Sequence, residues 1–137
     1  MKPSPYLNHI VSRVRARQCI LVVDDDEMLG DMIGKMLVRM GYSAAVCTHP
    51  RDALELFTQT PERFDAVIVD ELMPELRGTQ LTLELLKVKD DIPVVLMTGH
   101  ADKITMDEVR QSGVRATLIK PVLRERLELA LAKILKR

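Results

Sequence analysis

The sequence predicts an α/β domain: a doubly wound, five-stranded parallel sheet with helices on both faces. Three observations predict it. Short Val- and Ile-rich runs alternate five times with segments of helical periodicity, the mark of strand–helix–strand crossovers. The strand-like runs are almost continuously apolar, which requires burial on both faces. A length of 137 residues with 47% hydrophobic content suits one compact core and leaves no room for a second.

The first strand, 19–24, reads Cys-Ile-Leu-Val-Val-Asp and leads into a helix over 27–40. In that helix Met28, Met32, Met36 and Met40 recur every four residues beside Leu29, Ile33 and Leu37, a broad apolar stripe expected to pack on the core. Gly30 and Gly34 on the same helix are expected to serve close packing. Gly41 ends it with a left-handed cap. A strand over 42–47 follows, then Pro50 in the first turn of a helix over 50–58. The third strand, 65–70, ends in Asp70, and a helix over 79–88 returns the chain. The fourth, 92–97, runs up to Thr98. Thr105-x-x-Glu108 reads as a capping box opening a helix over 104–112, which Gly113 closes. The last strand, 116–119, meets Lys120-Pro121, and a helix over 122–136 carries Leu123, Leu127, Ala130, Leu131 and Ile134 on one face. No effector domain is expected after Arg137.

Charge is unevenly spread although it sums to zero. Residues 1–18 hold Lys2, Arg13, Arg15 and Arg17 and no acid; residues 124–137 hold five bases against two acids. The centre is left with 11 bases and 18 acids, which disfavours nucleic acid as its partner and favours a cation. Residues 1–18 form a separate basic arm, in which Leu7, Ile10, Val11 and Val14 fall at helical spacing. Three readings of it stand open: docking on this domain, pairing with a second copy in a homodimer, or the remnant of a linker. Cys19 and Cys47 lie inside apolar runs and are expected to be reduced and buried, which fits the cytoplasm. No apolar stretch is long enough for membrane insertion, and the arm lacks the core of a signal peptide.

Chemistry gathers at strand ends. Asp24 and Asp25 close the first strand, Asp70 the third, Thr98 the fourth and Lys120 the fifth. Ligands of open α/β sheets bind beyond the carboxyl ends of the strands, where strand order reverses. In the flavodoxin-like order 2-1-3-4-5 that point lies between strands 1 and 3, so the acids meet there. Two carboxylates about 5 Å apart repel by roughly 3 kcal/mol at an effective dielectric of about 20. Three need a compensating cation, and hard oxygen ligands with open positions favour Mg²⁺, with Mn²⁺ as a substitute. Taken singly these residues have plainer uses. Asp26 and Glu27 are helix-capping acids, and Asp24 and Asp25 fit that role equally well alone. Thr98 alone is a loop hydroxyl, and Lys120 alone a solvated lysine.

Together, Val22-Val23-Asp24-Asp25, Asp70-x-x-Met73-Pro74-x-x-x-Gly78, Thr98-Gly99 and Lys120-Pro121 resemble the receiver domain of two-component response regulators, over residues 19–136. The resemblance implies that Asp70 is the phosphoacceptor, taking a phosphoryl group from a phosphohistidine of a sensor histidine kinase or a histidine phosphotransfer domain. It implies Mg²⁺ on Asp25, Asp70 and the Leu72 carbonyl, with Asp24 acting through water. Thr98 and Lys120 would meet the phosphoryl oxygens, and the face formed by the fourth helix, fifth strand and fifth helix would change. It also makes Lys120-Pro121 a candidate cis bond. Such a domain phosphorylates itself from a donor and turns over slowly; it is not an enzyme acting on other substrates.

Two positions depart from the family. Thr117 stands where an aromatic switch is usual, and Val122 replaces a frequent Phe. Thr98-Gly99-His100, Ile104 and Gly113-Val114-Arg115 resemble receivers at the C-terminus of hybrid histidine kinases, which would make the arm a linker. Thr117 also sustains an alternative, a receiver fold used as a docking module without phosphorylation. A third reading, a phosphohydrolase of the haloacid-dehalogenase type, rests on Asp24-x-Asp26, but Glu27 then stands where Thr or Val is expected.

Overall fold

The computed structural model describes residues 17–99 and 102–135. Five parallel strands, β1 (Cys19–Val23), β2 (Ser43–Cys47), β3 (Ala66–Asp70), β4 (Val94–Thr98) and β5 (Ala116–Ile119), lie in the order β2-β1-β3-β4-β5. Helices α1 (Glu27–Arg39), α2 (Pro50–Gln59), α3 (Gly78–Val88), α4 (Met106–Ser112) and α5 (Arg124–Ile134) connect or follow them. The basic arm's apolar residues Leu7, Ile10, Val11 and Val14, and His100, lie outside the described residues.

Each strand sends alternate side chains to opposite faces, and this divides the core in two. Leu21, Val23, Val67, Val69 and Leu96 face Phe57 of α2 and Leu81 and Leu85 of α3. Ile20, Val22, Ile68, Val95 and Met97 face Ile33 and Leu37 of α1 and Leu127 and Leu131 of α5. The three central strands β1, β3 and β4 are buried on both faces, as continuous apolarity requires. The rule fails at the edge strand β5, where Thr117 and Ile119 are exposed.

The terminal signals fall as the residues dictate. Gly41 and Gly113 have φ of 103° and 88°, Pro50 opens α2, and Thr105 and Glu108 form a reciprocal capping box. The Lys120-Pro121 bond is cis. Helix α5 starts at Arg124, later than 122, because Leu123 is an extended N-cap; Leu123 is accordingly exposed instead of packed on the core. Helix α4 starts at Met106 because Thr105 is spent on capping. The methionine stripe is half right. Met36 and Met40 pack against the core, but Met28 and Met32 are 84% and 44% exposed, since a four-residue repeat drifts off the buried face of a 3.6-residue helix. Gly30 is tightly packed, a Cβ there lying 3.0 Å from Val46 Cγ1. Cys19 is buried and Cys47 partly so, both free thiols. No described helix is long and apolar enough to cross a membrane.

Candidate functional site

The registers bring the strand-end residues to one edge. Val23 pairs with Val69, so Asp24 and Asp70, next along β1 and β3, emerge side by side. Asp24 N–H donates to the Cys47 carbonyl at 3.1 Å, extending the sheet by one residue. Its Oδ1 accepts the Asp26 N–H at 2.9 Å, and Asp26 caps α1 through Leu29 N–H at 3.2 Å. Asp26 is thereby committed to the helix, which removes one partner of the Asp24-x-Asp26 reading. Across the sheet, Lys120 N–H donates to the Thr98 carbonyl at 2.8 Å. That bond ties the lysine to the end of β4, and its Nζ stands 2.9 Å from Asp70 Oδ1.

Carboxylate oxygens of Asp24, Asp25 and Asp70 all lie within 4.8 Å of one another. Asp24 and Asp70 are buried, while Asp25 is open to solvent. Burial pushes the Asp24 carboxyl up to about 6, with Asp70 and Asp25 adding to the rise and the Asp26 N–H and Lys120 opposing it. Asp70 is also raised by burial, against the pull of Lys120. Burial draws Lys120 downward, but Asp70, Asp24 and Asp102 outweigh it and raise the ammonium above its ordinary value. One cation thus faces three carboxylates. Asp24 Oδ2 is buried with no hydrogen-bond partner among the described residues. An orphaned carboxylate oxygen beside two more acids, one of them solvent-facing, is a donor set that fits a hard divalent cation retaining water.

The segment after Asp70 holds residues that the sequence reading passed over. Glu71 is fully buried and accepts Thr79 N–H at 2.9 Å and Thr79 Oγ1–H at 3.3 Å, with Arg77 Nη1 3.6 Å away. Its backbone donates to the Met97 carbonyl at 2.9 Å and accepts from Gly78 N–H at 3.0 Å. Glu71 therefore closes the loop that contains Leu72 into a ring anchored on β4 and on the start of α3. Farther out, Glu75, at φ 72°, meets His49 Nε2 and Arg51 Nε, each at 3.3 Å. An acid immediately beyond an apolar strand was the available signal for Glu71, but its burial depends on tertiary contacts. Thr98 is half-buried at the end of β4, and the Leu72 side chain is exposed.

Away from this edge, a groove of about 690 Å³ runs between α4, β5 and α5, and Thr117 lies in its lining with Met106, Val109 and Leu129.

A family profile described as "Response regulator receiver domain" matches residues 20–132. The chain is 36% identical over 110 residues to the two-component response regulator ARR10 of Arabidopsis thaliana, covering 80% of this chain and 20% of that protein. It is 34% identical over 108 residues to the transcriptional regulatory protein GlrR of Escherichia coli (strain K12), covering 79% of this chain and 24% of that one. The chain thus spans about a fifth to a quarter of these relatives. Among solved structures, a response regulator receiver domain protein from Clostridium thermocellum superposes with a TM-score of 0.81 at 28% identity, over 86% of this chain and 94% of the other. The chemotaxis protein CheY4 of Vibrio cholerae superposes with 0.80 at 25% identity, over 88% and 100%.

Proposed function

The chain belongs to the response regulator receiver domain family, and from that premise we propose that Asp70 accepts a phosphoryl group from a phosphohistidine of a sensor histidine kinase or histidine phosphotransfer domain. Residues 19–137 are taken as the receiver and 1–18 as an arm or linker, acting in the cytoplasm. A carboxylate oxygen of Asp70 attacks phosphorus; the O–P bond forms as the P–N bond breaks, and the electron pair leaves on the imidazole nitrogen. Such a transfer asks the protein mainly for positioning and charge neutralisation. Lys120 holds the Asp70 carboxylate and stands ready for the incoming phosphoryl oxygens. Thr98 would donate its hydroxyl to one of those oxygens, drawing the end of β4 and the α4-β5-α5 face toward the site. Asp24, Asp25, Asp70 and the Leu72 carbonyl are the residues that would hold Mg²⁺. When bound, Mg²⁺ supplies positive charge against the phosphoryl oxygens.

The observation that carries this reading is the 2.9 Å Lys120–Asp70 pair beside two further acids at the carboxyl edge of the sheet. Incubation with acetyl phosphate and Mg²⁺ should add one phosphoryl group to the intact mass, and Asp70→Asn should abolish it. An unchanged mass with acetyl phosphate, phosphoramidate and a donor kinase would defeat the proposal. The exposed Thr117 in the α4-β5-α5 groove favours a second reading, a docking surface indifferent to phosphorylation. Partner affinity unaltered by beryllofluoride would select that one.

A further inference from the structure

Glu71 is a fully buried acid that the proposed transfer leaves without a task. Its polar groups are all engaged. One carboxylate oxygen accepts Thr79 N–H at 2.9 Å and the other Thr79 Oγ1–H at 3.3 Å, while its own N–H and carbonyl are bonded to Met97 and Gly78. Thr79 lies in the first turn of α3, whose N-cap is Arg77. An arginine side chain has donors and no acceptor, so it leaves the first-turn N–H groups to others. The carboxylate that satisfies one of them comes from eight residues upstream, next to Asp70. A serine at 77 would cap the helix locally, without joining it to the end of β3.

We propose that the Glu71 carboxylate is a positioning group for the Leu72 carbonyl, fixing it for Mg²⁺ by clamping the end of β3 to the start of α3. This rests on the Leu72 carbonyl being a metal ligand, as proposed above. Leu72 exposes its side chain and takes little of its position from packing; its neighbours hold it, Glu71 on one side and the buried Met73 on the other. Because peptide units are planar, only the φ and ψ of Leu72 separate its carbonyl from the bonded Glu71 carbonyl. A shift of Glu71 is therefore passed on directly. Mg²⁺ demands near-ideal octahedral geometry, whereas Ca²⁺ accepts longer and more varied contacts. A loosened carbonyl penalises Mg²⁺ more than Ca²⁺.

The test is calorimetric affinity for Mg²⁺ and for Ca²⁺ on the full chain, with urea unfolding and the ¹³C resonance of the Leu72 carbonyl beside it. In the wild type Mg²⁺ should shift that resonance; no shift overturns the Leu72 reading and this inference with it. Glu71→Ala should bind Mg²⁺ about tenfold more weakly, and Ca²⁺ by no more than roughly threefold. Glu71→Gln loses the charge but keeps an acceptor for Thr79 N–H, and should stay within about threefold for both cations. The decisive variant combines Glu71→Ala with Arg77→Ser, and it carries the comparison even where Glu71→Ala alone fails to fold. It removes one charge of each sign. Gln80 Oε1 already accepts the residue 77 N–H at 2.9 Å, so the serine completes a capping box and rebuilds the start of α3. Its urea midpoint should return toward wild type while the Mg²⁺ loss remains. Recovery of Mg²⁺ affinity along with the midpoint would make Glu71 a helix cap and nothing more. Equal losses in the alanine and glutamine variants, alike for both cations, would mean that charge alone acts. Either result overturns the proposal and leaves the Leu72 carbonyl as a ligand.

Discussion

Gly78 and the backbone of Asp70 occupy a contact that admits no further carbon. A Cβ on Gly78 would overlap the Asp70 carbonyl oxygen and stand 2.9 Å from both the Asp70 carbonyl carbon and Leu96 Cδ1. The glycine is required by close approach, since its φ carries no restriction against other residues. Gly78→Ala is expected to destabilise the domain by about 3 kcal/mol through overpacking against backbone, well above the roughly 1 kcal/mol that alanine gains in a helix. Urea unfolding measures the loss. Because the displaced residue is Asp70, the same variant should bind Mg²⁺ more weakly, and an unchanged urea midpoint would contradict the packing argument.

Asp24 makes stability depend on pH in an unusual direction. Its folded-state value of about 6 lies above the ~3.9 of an unfolded aspartate. The folded chain holds that proton more tightly, so the contribution is fully present below pH 4 and is lost as pH rises through 6. The full loss amounts to roughly 3 kcal/mol in metal-free protein. Asp24→Asn has no such proton to lose, so its stability relative to wild type should grow by about that amount between pH 4 and pH 7.5 in EDTA. Saturating Mg²⁺ should reverse the ranking at pH 7.5, since cation binding to the ionised acids stabilises only the wild type strongly. A pH-independent difference between the two proteins would refute the assignment.

The sequence made the sheet and its acid edge legible because both follow from local pattern. Continuous apolar runs mark the central strands, and a parallel order brings strand ends together, so Asp24, Asp25, Asp70 and Lys120 are legible as one edge from the sequence. What escaped depended on partners distant in sequence. A place just beyond an apolar strand does not by itself bury Glu71, and Glu27 is not buried; the Thr79 amide and hydroxyl, with Arg77 beside them, satisfy the Glu71 carboxylate. Met28 and Met32 carried the same apolar label as Met36, yet the drift of the helical phase puts them in solvent. Thr117 is a departure visible in the sequence, but its surroundings, a groove between α4, β5 and α5, depend on the fold.

Glu71 offers a prediction about the loop rather than the acids. Burial raises its carboxyl, while the Thr79 N–H and hydroxyl and Arg77 pull it back. Glu71→Ala removes the acceptor of a backbone N–H at the start of α3 and leaves a cavity, at a cost of about 2–3 kcal/mol. Glu71→Gln retains one acceptor oxygen and should cost less than half as much. Amide hydrogen exchange should show Gly78 and Thr79 losing protection in the alanine variant while the amides of β1 keep theirs. Uniform loss across the sheet would instead mean that Glu71 supports the whole fold and not this loop.

Lys120 should affect metal binding and phosphoryl acceptance in opposite directions. Among the described residues it is the one cation that forms an ion pair with any of the three acids, through Asp70, and Asp70 and Asp24 hold its own charge in place. Lys120→Met leaves Asp24, Asp25 and Asp70 without a counter-charge, so the metal-free domain should lose about 1–2 kcal/mol, less than a fully buried pair because the lysine is partly exposed. Removing the Lys120 charge from beside a bound cation should lessen repulsion by roughly 1 kcal/mol after solvent screening, a gain of about fivefold in Mg²⁺ affinity. Phosphoryl acceptance from acetyl phosphate should fall by at least tenfold, since the ammonium proposed to meet the phosphoryl oxygens is gone. Calorimetric titration with Mg²⁺ and intact-mass kinetics read the two effects separately. Weaker Mg²⁺ binding in Lys120→Met would show that the lysine organises the acids instead of competing with the cation for them.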